Sequence, residues 1–395
     1  MEKRTMGRWF YGVLAVLMGL MCFLFWKQIT VPHLSVTLPY YSDMPPYLQE
    51  GVEAKTDLWY ALIGPMVYLF YRLTGTESGA SFLFALALSA ANGATVLLVR
   101  RWYCMVYKMK SNIKAELFSL SSVFVSMLLF PPDLCATGWW YRGSFSPNVW
   151  HNPTSILCRP FSLWVILCVY QMLSAYRENR PMKKYMLQNM AAAFLSMWAK
   201  PSFLVVFLPA LCLYLLIELI KTKGQSLLFS LKIGLSFAPS MLVVLYQYLQ
   251  LFFAPPIETA EASGICCGMF QTMPRMAVMT ITSSLFLLFA AVLIYIYHKE
   301  KRIHILFAGI GYAIAWTMAL FVEETGIRAG HGNFGWSFIL TLFFLFTYMV
   351  GECFVKPKEK KIPPKISIGL LAVYSAHFIT GICYFAKILC GGSYL

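Results

Sequence analysis

A carboxylate follows the first long apolar run of the chain closely enough to stay near a membrane surface. Asp43 lies about 16 residues beyond that run, in a turn rich in tyrosine and proline between Tyr40 and Tyr47. A carboxylate in this position can act as a general base that takes the proton from an attacking hydroxyl. The alternatives are a helix cap or a solvated loop acid, and Ser42 is the better capping residue of the two.

Basic side chains near a later apolar run are suited to holding a phosphate. The run opens with Asn-Pro-Thr at 152–154, where Asn152 is expected to cap a helix and Pro153 to occupy its first position. Arg159 lies inside the run, which is costly unless the guanidinium faces a partner or a polar cavity. His151 precedes the run, and a helix N-terminus with these two side chains predicts a phosphate site.

Further polar residues occur where other apolar runs end. Lys200 stands in an Ala-Lys-Pro-Ser turn, where it either extends to the interface or neutralises a phosphate. Glu323 and Glu324 precede a glycine-rich stretch that contains Arg328 and His331. The two acids could bind an acceptor, a cation or nothing, and Arg328 could simply pair with Glu324 at i,i+4 spacing.

An aromatic cluster accompanies these polar residues. Trp139, Trp140 and Tyr141 lie together in one polar loop, and aromatic faces of this kind stack on sugar rings. The alternative is the aromatic belt that membrane proteins carry at the interface. The sequence contains no Walker, dinucleotide-binding or zinc motif, and we expect neither a metal nor a cofactor.

Long apolar runs must position all of these residues. The 395 residues are 59% hydrophobic and 12% charged, whereas soluble proteins carry about 25% charged residues. We therefore predict an all-α polytopic transmembrane bundle in a single domain, 1–395, with about eleven spans of nearly the ~20 residues that cross a bilayer. The predicted spans are 9–27, 81–99, 115–131, 155–174, 186–201, 202–220, 232–252, 276–298, 304–322, 336–354 and 366–389.

The charge distribution sets the predicted orientation. The net charge of +15 could indicate a nucleic-acid partner, but the basic residues form short clusters between apolar runs, such as Arg100-Arg101 and 177–184. That is the pattern of cytoplasmic loops, so we expect no nucleic-acid partner.

If 58–73 crossed the membrane, Arg100-Arg101 would lie outside. We therefore interpret 58–73 as a juxtamembrane or re-entrant helix.

This orientation predicts a multi-pass protein of the cell membrane with a cytoplasmic N-terminus and its active face outside. The segment 186–201 must then cross, because the later basic clusters would otherwise lie on the wrong side. All candidate residues fall at the outer side. Most lie in the predicted outer loops, which are 28–80, 132–154, 253–275 and 323–335.

The N-terminal layout resembles the GT-C class of integral-membrane glycosyltransferases, which use polyprenyl-phosphate sugars. The resemblance covers mainly 1–101 and comprises the first span, the acid in Tyr41-Ser42-Asp43, the half-apolar helix that ends at Thr74-Gly75, and the return to Arg100-Arg101. The chain lacks the paired first-loop acids and the C-terminal soluble domain of better-known members. The segment 146–154 is also similar to bacterial membrane proteins of cell-surface polysaccharide loci.

The resemblance implies an inverting transfer from a polyprenyl-phosphate sugar to a lipid-linked or cell-surface glycan, with Asp43 as general base. Because a phosphate is a good leaving group, no metal is strictly needed. The residues implied to hold the donor phosphate are Arg159, Lys200, His151, Arg328 and His331. Those expected to bind the acceptor are Trp139, Trp140, Tyr141, Glu323 and Glu324.

Two other functions remain open from the sequence. A transporter or flippase of a lipid-linked saccharide would predict inverted repeats and ionisable residues near the bilayer midplane, and the sequence shows no convincing repeat. An acyltransferase would use His151 as its base, and a scaffold would need no base. The inner loops are short and merely basic, which does not favour a protein that binds coenzyme A. The sequence specifies neither the sugar, the acceptor nor the oligomeric state.

Overall fold

The computed structural model describes residues 7–31, 38–53, 61–109, 112–122, 145–146, 151–252, 264–268, 273–325, 333–356 and 362–393. Helices dominate these residues, and the predicted all-α class is confirmed. The helices are α1 (Arg8–Thr30), α2 (Met44–Val52), α3 (Ile63–Thr74), α4 (Glu77–Val106), α5 (Ile113–Ser121), α6 (Pro153–Arg177), α7 (Lys183–Ala199), α8 (Ser202–Lys221), α9 (Leu227–Leu235), α10 (Ala238–Phe252), α11 (Met273–Ser283), α12 (Leu285–Tyr297), α13 (Arg302–Phe321), α14 (Gly335–Val350) and α15 (Pro364–Leu389). A 3₁₀ turn, Lys299–Lys301, precedes α13, and a π-helical segment, Gly351–Val355, follows α14.

The long apolar helices make this a multi-pass membrane protein. Within the described ranges, seven helices are long and apolar enough to cross a bilayer, namely α1, α4, α6, α8, α13, α14 with its π segment, and α15. Two bent pairs raise the count to nine if each pair is one span. The predicted eleven spans are not established. With 17 residues, α7 is about 25 Å long, and the predicted span 115–131 continues beyond α5 into residues outside the described ranges.

Two predicted spans are broken rather than continuous. The helices α9 and α10 meet at 48°, and α11 and α12 meet at 57°. Serine hydroxyls lie at both breaks: Ser236 donates to the carbonyl of Ile233, and Ser284 donates to that of Thr280. A serine that bonds to its own helix backbone commonly bends the helix.

The segment 58–73, predicted as a juxtamembrane helix, contributes a separate short helix. α3 has 12 residues, about 18 Å, which is shorter than the ~30 Å hydrocarbon core. It ends at Gly75, which adopts a φ of 67° and donates its N–H to the carbonyl of Tyr71. Thr76 then caps α4 by accepting from the N–H of Gly79. Residues 58–60 lie outside the described ranges, and the position of α3 at the membrane surface stays a prediction.

Two antiparallel helix pairs form around small or polar residues. In the pair α1–α4, Ser89 donates to the carbonyl of Met18 at 2.6 Å. In the pair α6–α7, the hydroxyls of Ser162 and Ser196 lie 2.9 Å apart, and the Cys158 thiol donates to the carbonyl of Lys200. Such residues let membrane helices approach closely. The second pair brings the end of α7 beside the start of α6.

The ion pairs of the described residues lie at the two ends of the bundle. At one end Arg100 at the end of α4 pairs with Glu116 in α5, and Lys301 before α13 pairs with Glu352 after α14. The opposite end holds the start of α6 and the end of α7. The predicted basic loops therefore adjoin the first end, and which side of the membrane each end faces stays a prediction.

A short β-ribbon lies at the second end and was not predicted. β1 (Gly264–Cys267) pairs antiparallel with β2 (Val322–Thr325), so that Ile265 opposes Glu324 and Cys266 opposes Glu323. β2 continues directly from α13. Because successive strand side chains point to opposite faces, Glu323 and Glu324 face different surroundings.

Candidate functional site

Asp43 occupies the position before α2 but does not cap it with its side chain. The Oγ of Ser42 accepts from the N–H of Met44 at 3.2 Å, as expected for the better capping residue. The carboxylate of Asp43 makes no capping hydrogen bond. It points instead toward the start of α6.

Two residues at the start of α6 hold that carboxylate. Asn152 donates from Nδ2 to Asp43 Oδ2 at 2.8 Å, and His151 Nε2 lies 3.4 Å from Asp43 Oδ1. The backbone N–H of Asp43 also donates to the carbonyl of His151. The His151 side chain is only 6% exposed, whereas that of Asp43 is 34% exposed. The carboxylate is therefore fixed in position yet accessible to a hydroxyl.

Asn152 also connects the carboxylate to a cation. Its Oδ1 accepts from the N–H of Ser155 at 3.0 Å, which is the cap that the sequence predicts for α6. The same oxygen accepts from Lys200 Nζ at 3.3 Å, and Lys200 also donates to Thr154 Oγ1 at 3.0 Å. One amide group therefore lies between the Asp43 carboxylate and the Lys200 ammonium.

Lys200 follows α7 in an extended conformation ahead of Pro201, as the residue before a proline prefers. Its ammonium lies 4.8 Å from the centre of the Trp336 ring, a cation–π contact. Burial lowers the pKa of Lys200 to about 8, and the nearby carboxylates of Asp43 and Glu324 partly oppose this effect. The charged form of Lys200 therefore still predominates at neutral pH.

Aromatic rings surround the polar centre. The rings of His151 and Trp336 are stacked with centroids 6.4 Å apart, and that of Tyr41 lies 5.6 Å from His151. Burial and the Asp43 carboxylate raise the pKa of the Tyr41 hydroxyl. Tyr41 therefore stays protonated at neutral pH and can act as a hydrogen-bond donor.

The two predicted acids of β2 differ in their relation to this centre. Glu324 is buried, accepts from Asn333 Nδ2 and interacts electrostatically with Lys200. Glu323 opposes Cys266 across the ribbon and is half-buried. Glu324 is thus the acid that lies close to Lys200, and the predicted acceptor role of both stays a prediction.

Arg159 lies deeper in α6. It is seven positions beyond Asn152, about 10 Å along the helix axis. The residue is fully buried, and its guanidinium carbon lies 4.6 Å from the centre of the Phe343 ring. The guanidinium therefore packs inside the bundle, and its contact with a phosphate stays a prediction.

Five predicted site residues cannot be placed relative to this centre. Trp139, Trp140, Tyr141, Arg328 and His331 lie outside the described ranges, and their roles remain predictions. Among the residues that are described, no group of three or more His, Cys, Asp and Glu side chains is arranged to hold a metal ion.

Sequence reasoning missed three residues of the centre. Capping explained Asn152 and Thr154 at the start of α6, but it did not predict that they bind Lys200. Trp336 was assigned to the edge of a span. The available signal was position, because Asn152 lies just before the predicted span 155–174 and Trp336 begins the predicted span 336–354, both at the same end as Asp43.

The arrangement combines a proton acceptor with a cation that can hold an anionic leaving group. Asp43 can take a proton from a hydroxyl, and the Lys200 ammonium offers positive charge to phosphate oxygens. The Thr154 hydroxyl accepts from Lys200 and donates to Asn152 Oδ1, and so holds the lysine in place. In comparisons with known proteins, no family model, no curated protein and no solved structure matches the chain.

Proposed function

We propose that this protein is a glycosyltransferase that moves a sugar from polyprenyl phosphate to a lipid-linked or cell-surface glycan on the outer face of the cell membrane. The observation that carries the proposal is the link from the Asp43 carboxylate through Asn152 to the Lys200 ammonium. Such a pair suits a reaction in which a hydroxyl loses a proton while a phosphate departs.

The reaction follows from the two charges. The acceptor hydroxyl oxygen attacks the anomeric carbon of the donor, and its proton passes to the Asp43 carboxylate. The bond between that carbon and the phosphate oxygen breaks, and polyprenyl phosphate leaves with the electron pair. The Lys200 ammonium stabilises the charge that grows on the phosphate. Attack opposite to the leaving group inverts the anomeric configuration.

The packing around Asp43 suits a general base. Asn152 fixes one carboxylate oxygen, and His151 lies beside the other. A base held in one orientation needs no reorganisation when the acceptor arrives. The rings of Tyr41 and Trp336 pack against His151 and hold it beside the carboxylate.

The test is transfer of radiolabel in proteoliposomes that contain the purified full-length chain, a panel of radiolabelled polyprenyl-phosphate sugars and the extracted glycan pool. Wild type should produce labelled glycan, and Asp43→Asn should reduce its initial rate by at least 100-fold. Glu178→Gln is the matched control, since this exposed acid lies at the opposite end of the bundle.

Equal transfer by wild type and Asp43→Asn would overturn the role of Asp43. The same liposomes also distinguish the transporter. If labelled donor crosses the bilayer without any labelled glycan forming, the protein moves lipid-linked saccharides and the glycosyltransferase proposal is wrong.

A further inference from the structure

A second polar cavity lies at the end of the bundle opposite Asp43. It has a volume of about 430 Å³ and lies between the loop after α6, the first turns of α7 and the start of α9. Asn152 and Lys200 lie at the other end of α6, which has 25 residues and is about 37 Å long. Its volume falls within the ~300–1,000 Å³ typical of small-ligand sites.

Three cations line this cavity. Arg180 pairs with the loop acid Glu178 at 2.7 Å, so that its charge is partly compensated. The side chains of Lys183 and Lys232 also line it, and neither makes a hydrogen bond or ion pair with any described residue. The amides of Asn179 and Gln225 complete the polar lining. This set matches an anion with several acceptor oxygens, such as a phosphate.

The position of Lys232 indicates that the anion belongs to a membrane lipid. The lysine lies in α9, whose exposed apolar side chains are leucines that include Leu228, 63% exposed, on the cavity wall. In a multi-pass membrane protein an exposed leucine face contacts lipid tails. A lysine on such a helix is costly unless its ammonium reaches the head-group region. The cavity therefore opens where lipid tails meet head groups.

Aromatic packing gives the cavity a fixed wall. The rings of Tyr176 and Phe229 are stacked with centroids 4.0 Å apart and tilted by 13°. Both rings line the cavity and join α6 to α9. The site is therefore formed before a ligand arrives, and less conformational entropy is lost on binding.

We propose that this cavity binds the phosphate of an anionic phospholipid, with Lys183 and Lys232 on the phosphate oxygens and the acyl chains along the leucine face of α9. The predicted orientation places this end at the cytoplasmic leaflet, where anionic lipids and basic pockets between helices meet. The inference does not depend on the glycosyltransferase proposal.

The test is native mass spectrometry of the full-length protein released from nanodiscs that contain equal parts phosphatidylglycerol and phosphatidylcholine. The wild-type protein should retain phosphatidylglycerol in preference to phosphatidylcholine. The double substitution Lys183→Gln with Lys232→Gln should weaken retention roughly 30-fold, from the typical contribution of each lysine near an anionic surface. The control is Lys221→Gln with Lys223→Gln, two exposed lysines outside the cavity at the same end.

The double substitution Lys183→Arg with Lys232→Arg should retain the lipid, which separates loss of charge from misfolding. Equal weakening in the control pair would overturn the site, because it would show that only total charge matters. Equal retention of phosphatidylcholine would overturn the anionic specificity. Displacement of the bound lipid by millimolar inorganic phosphate alone would assign the cavity to a soluble anion instead.

Discussion

Lys200 donates a hydrogen bond from Nζ to Oδ1 of Asn152 at 3.3 Å. The other end of the same amide donates to Asp43, so the orientation that suits the lysine also suits the carboxylate. A flipped amide would place its oxygen against the carboxylate and its NH₂ group against the ammonium. One side chain therefore holds both charged groups of the site in position, and substitutions of Asn152 should affect both.

Asn152→Ser should separate the capping role of Asn152 from its bridging role. Serine caps a helix about as well as asparagine, but it has no amide donor for Asp43. A hydrogen bond to a charged group contributes about 1.5–3 kcal/mol. We therefore expect a melting temperature lower by a few degrees, because the buried bridge also contributes to stability, and an initial transfer rate lower by roughly 10–100-fold. An unchanged rate would show that the bridge is dispensable.

The pH dependence of donor use should report the ionisation of Lys200. Its pKa is about 8, below the usual value, so the ammonium is present below pH 8 and is lost as the pH rises through 8. The value of kcat/KM for the donor should fall about tenfold per pH unit above 8. Lys200→Arg, whose guanidinium stays charged, should move this fall in kcat/KM above pH 10. A fall at the same pH in both proteins would show that a group other than Lys200 causes it.

Ser196→Ala should loosen the α6–α7 pair. The Ser196 hydroxyl lies 2.9 Å from that of Ser162 and is fully buried. Interhelical hydrogen bonds in membranes contribute about 0.6 kcal/mol, and up to about 1.7 kcal/mol. Unfolding titrations in sodium dodecyl sulfate should show a loss of this size. Ser174→Ala, which removes an exposed contact to Glu178, should change the midpoint less, and an equal change would contradict the prediction.

Gly351→Ala should destabilise the end of α14. A Cβ there would lie 2.6 Å from the Tyr107 hydroxyl and 2.9 Å from a ring carbon of Tyr103. Tyr103 is buried and donates to the carbonyl of Thr347, so it cannot move aside easily. Overpacking of this kind costs about 1–3 kcal/mol, measured as a lower thermal midpoint.

Gly309→Ala is the matched control for Gly351→Ala. No atom lies within 4 Å of a Cβ built at Gly309 in α13, and alanine favours the helix by about 1 kcal/mol relative to glycine. This variant should be as stable as wild type or more so. If both substitutions lowered the midpoint equally, the close contact at Gly351 would not be the cause.

The helices were predictable where local signals were strong. The boundary of α6 followed from Asn152 and Pro153, and the turn at Lys200-Pro201 followed from the proline. The bends after α9 and α11 were not predictable from hydropathy. Both bent pairs remain apolar on either side, and the hydroxyls at the breaks act on the backbone without interrupting the apolar pattern.

The site was predictable residue by residue but not as an arrangement. Asp43 was a candidate as a carboxylate close to the membrane, and His151 and Lys200 were candidates as basic side chains near the ends of apolar runs. Their contact depends on how α2, α6 and α7 pack, and no local pattern encodes that packing. The β-ribbon was missed because two strands of four residues leave too short an alternation to recognise.

The distances along the chain between these residues set an order of assembly. Asn152 follows Asp43 by 109 positions, and Lys200 follows Asn152 by 48. During synthesis the nascent polypeptide carries the carboxylate through several membrane insertions before the ammonium emerges, and Trp336 is added later still. A chain that ends before α7 therefore contains the Asp43 carboxylate and its partners His151 and Asn152, but lacks the Lys200 ammonium. Both charges and the amide between them are present once about half of the 395 residues have been made.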